Sequence, residues 1–515
     1  MCSFQLKSSA QVWQPDNGDG TYKNPIIFAD YSDPDVIRVK DDFYMVASSF
    51  NCAPGIPVLH SKDLVNWTII GHVYEKLPLE RYNHPQLGEG SWAPSIRYHN
   101  GKFYVYVCTP TDGLFMASTT DPSKKWDMVQ VADVVNWEDP CPLWDDNGDA
   151  YLVHGKVCAG VLYLHKLSSD GTNLLDNGKV IFDDAKSQPT IEGPKFIKKD
   201  GYYYILSPAG GVETGWQAAL RSKNIYGPYE QKTVMHQGNT SINGPHQGGL
   251  VETQTGEWWF IHFQDRGAYG RIVHLQPAEW VNGWPIIGKD VNNDGIGEPV
   301  MTYKKPNVGK TYPIENPQTS DEFNSDILGL QWQWWANPQA QFYSLTANKG
   351  NIRLFAQQVL TESGNIWYAP NLLLQKFPAP QFSGTTCLTL HSQKDNERAG
   401  LVIMGQTYSY IAIEKSGKGY TISQSIGNNQ NCGGTPKEIK NVTVDKSTVY
   451  FKVNVDQNAL CTFSYSLDGK NFIPLGKEFK ANKGKWIGAK IGVFCINPNV
   501  EKSDNYCDVD WFRIE

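Results

Sequence analysis

At 515 residues the chain is longer than one hydrophobic core sustains, so two domains are expected. A net charge of -7 without any Lys/Arg run argues against nucleic acid and anionic membrane surfaces as partners, and the lack of an apolar run of about eighteen residues excludes a spanning helix. Aromatic residues reach 12%, with 17 Trp and 26 Tyr, a content that suits a strand-rich protein handling sugars, although core packing alone accounts for most of them.

The ten cysteines form no C-x-x-C pair, which argues against a thiolate metal site. Cys495 and Cys507 are candidates for a bridge in an oxidising compartment, a matter that spacing alone leaves open. Cys2 directly after Met1 fits either the anchored cysteine of a trimmed lipoprotein or an ordinary second residue. The expected location is the periplasm or the cell exterior, with the cytoplasm as the alternative, and the expected state is a monomer.

After a turn-rich start, Asn24-Pro25-Ile26-Ile27 begins a strand, and from there one unit recurs five times. A short polar motif with Pro precedes a turn and an aromatic strand, the signal of a hairpin. Ser32-Asp33-Pro34, Trp92-Ala93-Pro94, Glu138-Asp139-Pro140, Ile191-Glu192-Gly193-Pro194 and Gly244-Pro245-His246 are the five openings. The strand aromatics Tyr44, Tyr104, Tyr151, Tyr203 and Trp258 are about fifty residues apart, the period of a propeller blade. Outer-strand echoes such as Ser61-Lys62-Asp63-Leu64 through Trp67 and Ser118 through Trp126 support the same repeat.

Asp290 through Glu298 resembles half of a calcium loop, but the twelfth position is Met301, so an EF-hand is excluded and a polar turn is the simpler reading. Residues 304–318 read as a linker from their Pro and polar content. Beyond it the period is lost, and short alternating segments such as Val449 through Val453 predict a two-sheet sandwich. The expected fold is therefore all-β: a five-bladed β-propeller over residues 1–303, the linker, and a β-sandwich (jelly-roll) domain over 319–515.

The first strand of every propeller blade runs along the central channel. Asp33, Asp139, Glu192 and His246 are thus expected at equivalent places converging on one axis, beside the indole of Trp92. Each has an ordinary alternative: Asp before Pro opens turns, Glu192 can pair with a lysine, and His246 can be a satisfied core histidine. Three carboxylates at one place in three repeats favour a shared site, because clustered polar groups in a channel are costly without function. Phe50 and Trp92 are candidate sugar-stacking walls, with core packing as the alternative, and Arg271 is a candidate partner of Glu192 or of a sugar hydroxyl.

These motifs resemble glycoside hydrolase family 43, the β-xylosidases and α-L-arabinofuranosidases. The resemblance rests on Ser32-Asp33-Pro34-Asp35, Glu138-Asp139-Pro140-Cys141, Ile191-Glu192-Gly193-Pro194, Trp92-Ala93-Pro94 and the Arg271 segment. It implies an inverting hydrolase with Asp33 as general base, Glu192 as general acid and Asp139 tuning and orienting the acid. It also implies His246 as a channel histidine near a calcium or other cation, Arg271 as a substrate-binding arginine, and no organic cofactor. The usual Pro-Asp-Pro-Ser opening is here Ser-Asp-Pro-Asp, which makes Asp35 a second acid close to the base.

Ser320 through Trp334 together with Asp508 through Arg513 resembles the concanavalin-like sandwich of longer family members, making Glu322 and Asp510 candidate ligands of a structural calcium. By resemblance the substrate is a plant hemicellulose polysaccharide or oligosaccharide from which terminal sugars are removed. The blade-one loop Phe50-Asn51-Cys52 and the blade-four loop Gly215-Trp216-Gln217 look like those of side-chain-removing members, which places Trp216 among the substrate-binding candidates and favours α-L-arabinofuranose, with β-D-xylose the alternative. Two rival readings are weaker. A propeller lectin would repeat the same binding residues in every blade, and a retaining fructosidase would show Arg-Asp-Pro and Glu-Cys motifs that this chain lacks.

Overall fold

The computed structural model describes residues 12–359, 364–428 and 436–515. Cys2, with the lipid-anchor reading attached to it, lies outside the described residues. The first domain is a propeller of five four-stranded antiparallel sheets, each a meander in chain order. The innermost strands are Asp35–Val39, Trp92–His99, Trp137–Trp144, Lys195–Lys199 and His246–Glu252. Asn100-Gly101 and Asp200-Gly201 link first to second strands with positive φ at both positions, the two-residue turn that matches strand twist.

Blades pack through apolar side chains on facing sheets. Val46 and Val58 of blade one meet Ile96, Phe103 and Phe115 of blade two, and Cys141 and Val153 of blade three meet Phe196, Ile205 and Leu220 of blade four. Full burial of such a side chain is worth about 1.5–3 kcal/mol, so the ring is held by its seams. The seam between blades five and one is reinforced by the N-terminal segment. Ile27 bridges Val273, Asn24 exchanges hydrogen bonds with Leu275, and Thr21–Lys23 pairs with Thr302–Lys304.

From Lys305 the chain crosses to the second domain while remaining pinned to the first. The Lys305 amine reaches Asp16 and Asp63 at 2.5 and 2.8 Å, and Val308 is buried in the seam between blades one and five. The second domain is a sandwich of two mainly antiparallel sheets. Thr448–Val455 shows why: Val449, Phe451, Val453 and Val455 are buried, while the side chains between them are less so, as period-2 alternation requires. Cys495 and Cys507 are buried free thiols.

The two domains share core. Phe50 and Cys52 of the propeller pack with Trp335, Leu372 and Tyr408 of the sandwich, and Phe28 and Tyr269 pack with Phe377 and Phe382. Ala53 and Trp334 exchange backbone hydrogen bonds, and Asn51 Nδ2 donates to Trp335 O at 2.8 Å. Asp30 ties the joint together, accepting from Gly488 N of the sandwich and from Arg271 N of blade five.

Candidate active site

Each innermost strand opens with a residue in the left-handed region: Asp33 (φ 55°), Ala93 (φ 35°), Asp139 (φ 57°), Gly193 (φ 58°) and Gln247 (φ 40°). Pro follows in four blades and Gly248 in the fifth. Such a conformation costs a non-glycine residue about 1–3 kcal/mol, so its recurrence at the channel marks a position where geometry is held for a purpose. Aligned on this turn, Asp33 and Asp139 are equivalent. Glu192 and His246 fall one residue earlier, in the slot of Ser32, Trp92 and Glu138. The expectation of one shared position for Asp33, Asp139, Glu192 and His246 is therefore corrected by one residue; distance to the hairpin turn varies between blades, whereas the backbone twist does not.

Asp33 is 3% exposed and surrounded by donors. Its Oδ2 accepts from Ser32 Oγ at 2.7 Å and Ser48 Oγ at 2.6 Å, and its Oδ1 accepts from Arg271 Nη1 at 2.8 Å. Three donors fit an ionised, acceptor-only carboxylate. Ser48 in turn accepts from Ala93 N at 2.7 Å, linking the carboxylate to blade two. Arg271, expected opposite Glu192 or a sugar, gives Nη1 to Asp33 and Ser32, because it starts its strand at the seam where blade five meets blade one.

Asp35 opens the innermost strand of blade one and is 1% exposed. Its Oδ2 accepts from Ile96 N at 2.9 Å and from Arg97 Nη1 at 2.7 Å, so this second acid is paired within the framework.

A second group forms from blades three, four and five. Glu138, Asp139 and Glu192 bring carboxylate oxygens within 4.8 Å of one another. Glu192 Oε1 lies 2.6 Å from His246 Nε2, and Asp139 Oδ2 accepts from Gly193 N at 2.7 Å. Burial first, then the Glu192 charge, pushes Asp139 upward, only partly countered by the buried Lys195 amine. Burial and the Asp139, Glu192 and Asp33 charges push Glu138 up further. Both shifts favour the protonated forms of Glu138 and Asp139.

The walls come from both domains. Trp92 donates from Nε1 to Gly88 O, and its ring meets Phe50 edge-on at 6.1 Å and Trp486, a sandwich residue, at 5.9 Å. Phe50 itself is 3% exposed in the domain interface, so it supports Trp92 from behind. Trp216 is half-buried at the start of blade four's third strand, opposite Ala209, with Nε1 on Gln188 Oε1 at 2.7 Å. Sequence reasoning passed over Ser48, Glu138, Lys195 and Trp486. Aligning the repeats on the Pro after the left-handed residue would have found Glu138, whereas nothing local to Lys485-Trp486 announces a channel residue.

The expected calcium ligands of the sandwich, Glu322 and Asp510, are neighbours at one edge of it. Both Glu322 oxygens accept from Arg513, at 2.7 and 2.8 Å, and Asp510 is exposed near this pair. In the loop at 290–298, Asp290 accepts from Asp294 N and Gly295 N, the behaviour of a polar turn.

Residues 22–285 match the family model for glycosyl hydrolases family 43, and residues 320–515 match the β-xylosidase C-terminal concanavalin A-like domain. The chain belongs to glycosyl hydrolase family 43. It is a glycoside hydrolase, with the five-bladed propeller and sandwich described above. A protein of Xylanibacter ruminicola is 42% identical over 93% of this family 43 chain and 86% of its own length. A β-xylosidase of Formosa agariphila is 35% identical over 97% of the chain and 91% of its own length, and the non-reducing end α-L-arabinofuranosidase BoGH43B of Bacteroides ovatus is 30% identical over 96% and 94%. Among solved structures, the family 43 protein BlXynB of Bacillus licheniformis superposes with a TM-score of 0.83 at 27% identity, covering 96% of this chain and 99% of that one. A bifunctional GH43-CE protein of Bacteroides eggerthii reaches 0.85 at 29% identity over 96% of this chain, which spans 63% of that longer chain.

Proposed function

We propose that this family 43 enzyme is an exo-acting, inverting hydrolase that releases single terminal pentoses from plant hemicellulose, with Asp33 as general base and Glu192 as general acid. The observation that carries the reading is the contrast between two carboxyl environments in one channel. Asp33 is ringed by two hydroxyls and a guanidinium, which suits a base taking a proton from water. Glu192 sits beside two further carboxyls, Glu138 and Asp139, with no guanidinium or hydroxyl on its oxygens among the described residues, which suits an acid. His246 steadies Glu192 through Oε1, leaving Oε2 to carry the proton to the departing oxygen. Among the described residues His246 Nδ1 is buried without a partner, so the tautomer that avoids an orphaned N–H has Nε2 as the donor.

The reaction follows from these placements. Asp33 draws a proton from a water that attacks the anomeric carbon, the glycosidic bond breaks, and the Glu192 proton moves to the leaving oxygen. Water enters opposite the departing group, which inverts the anomeric configuration. Trp92 and Trp486 narrow the mouth, supporting a pocket for one terminal sugar.

Between the two pentoses, β-D-xylose is the first reading. The Formosa agariphila relative bears the β-xylosidase name over nearly its whole length. The blade-one loop that favoured arabinofuranose is spent on the domain interface, with Phe50 buried and Asn51 bonded to Trp335. α-L-arabinofuranose is the second reading, supported by the Bacteroides ovatus relative's name. A channel calcium belongs to the same proposal: His246 Nδ1, buried without a partner among the described residues, would be the side-chain atom facing it, and the cation would supply positive charge to the channel.

Assaying 4-nitrophenyl β-D-xylopyranoside and α-L-arabinofuranoside side by side tests the substrate, with the xyloside expected to be cleaved faster. Faster cleavage of the arabinoside would reverse the order, and cleavage of neither would remove the pentosidase reading. Proton NMR of the first-formed sugar should show the anomer opposite to the substrate; the same anomer would remove inversion.

A further inference from the structure

We propose that Glu138 is a fourth working carboxyl of this channel: it binds the terminal sugar as a neutral acid, donating a hydrogen bond to a hydroxyl of the ring whose glycosidic bond faces Glu192. The inference rests on the pentosidase reading for the identity of the sugar, and on geometry for the residue.

Glu138 occupies the slot before the left-handed residue, shared by Trp92 in blade two, Glu192 in blade four and His246 in blade five. Side chains from this slot meet across adjacent blades, as the 2.6 Å contact between Glu192 and His246 shows. Its carboxyl lies within 4.8 Å of both Asp139 and Glu192. The residue is 8% exposed, yet among the described residues nothing donates to it, accepts from it or pairs with it.

Its stem is buried while its unpartnered oxygens face open space, an arrangement that disfavours the ionised form without a donor to offset it. The fold nevertheless makes room for it. Its cross-strand partner is Gly155, where a Cβ would stand 3.2 Å from Glu138 Cγ. Trp137, stacked on His154 at 3.7 Å between ring centroids, anchors the strand next to it. A framework role would leave the carboxyl bonded to the framework, as Asp35 is bonded to Arg97 and Ile96. The missing partner is supplied when a polyhydroxylated ring enters. Burial and the three neighbouring carboxyls favour the protonated form, which has the O–H that a sugar oxygen accepts.

The test compares the full-length wild type with Glu138→Gln and Glu138→Ala. Glutamine preserves shape and a donor without ionising; alanine removes both. Calorimetric titration with free D-xylose and with L-arabinose reads binding without turnover. Glu138→Gln should bind the preferred pentose within about threefold of wild type, and Glu138→Ala at least about tenfold more weakly, the span of one lost hydrogen bond to a buried partner. Wild-type affinity should be flat from about pH 5 to 7, where the raised carboxyl keeps its proton.

Unchanged binding by Glu138→Ala overturns the proposal, as does a Gln variant as weak as the Ala variant, or wild type binding neither pentose. If aryl pentosides are hydrolysed while Glu138→Ala binds sugar normally, the reaction reading stands and the role of Glu138 falls. If pentose binding follows the expected order while no pentoside is hydrolysed, the reaction reading falls and the role of Glu138 stands.

Discussion

Trp486 of the sandwich meets Trp92 of blade two with ring centroids 5.9 Å apart and planes inclined at 68°. The indole beside Trp92 is therefore borrowed from the other domain, and Trp486 remains 44% exposed, so on the proposed reading it is available to an incoming sugar. Aromatic contacts of this kind are worth about 0.5–1.5 kcal/mol beyond simple burial. Trp486→Ala should lower kcat/KM on a xylo-oligosaccharide about tenfold, mostly through KM, with little change in thermal stability. Unaltered kinetics would mean that the indole does not reach the substrate.

The same wall can be moved without touching it. Gly488 lies against blade five so closely that an added Cβ would stand 2.6 Å from Gly270 N and 2.8 Å from its Cα. Both neighbours are backbone, so Gly488→Val must wedge the sandwich outward, at a cost of about 1–3 kcal/mol. Activity should fall to about the level of Trp486→Ala, and the double variant should be scarcely worse than either single one. Fully additive losses would show that the two changes act on different things.

Leaving-group dependence separates acid from base. A sugar leaving group needs the proton that a 4-nitrophenolate hardly needs. Glu192→Ala should therefore lose about 10²- to 10⁴-fold on an oligosaccharide and much less on the aryl glycoside. Asp33→Ala should cripple both alike, since water needs its base whichever group departs. The reverse pattern would exchange the two roles.

Glu138 and Asp139 link the site to stability. Both hold protons in the folded chain that the unfolded chain releases in the ordinary carboxylate range. Their stabilising contribution is present in acid and is lost as pH rises through the raised folded values. Glu138→Gln, which never ionises, should match the wild-type melting temperature at about pH 5 and exceed it at about pH 9 by about 2–4 °C, the shift that 1 kcal/mol brings in a domain of 150–250 residues. Equal differences at both pH values would place the effect in packing.

Most of the propeller is legible from spacing, because each blade buries its own aromatic strand and each hairpin announces itself with a turn. The carboxyl-bearing residues are legible for the same reason. What spacing misses is where the backbone inverts its twist: the left-handed residue at Asp33, Asp139 and Gly193 sets side-chain direction, and a one-residue offset there separates Glu192 from Asp139 and hides Glu138. The role of Arg271 depends on which blades meet at ring closure, and that of Trp486 on a contact between two domains far apart along the chain. Neither leaves a local trace in the sequence.

The left-handed turn at the head of each blade gives the channel five sockets of one shape. Ser32, Trp92, Glu138, Glu192 and His246 plug into them as hydroxyl, indole, two carboxyls and imidazole. The scaffold is thus close to fivefold in its peptide and has no such symmetry in its chemistry. A change of reaction or sugar on this frame needs only new plugs, because the Pro or Gly behind each socket holds its shape whichever side chain stands in front.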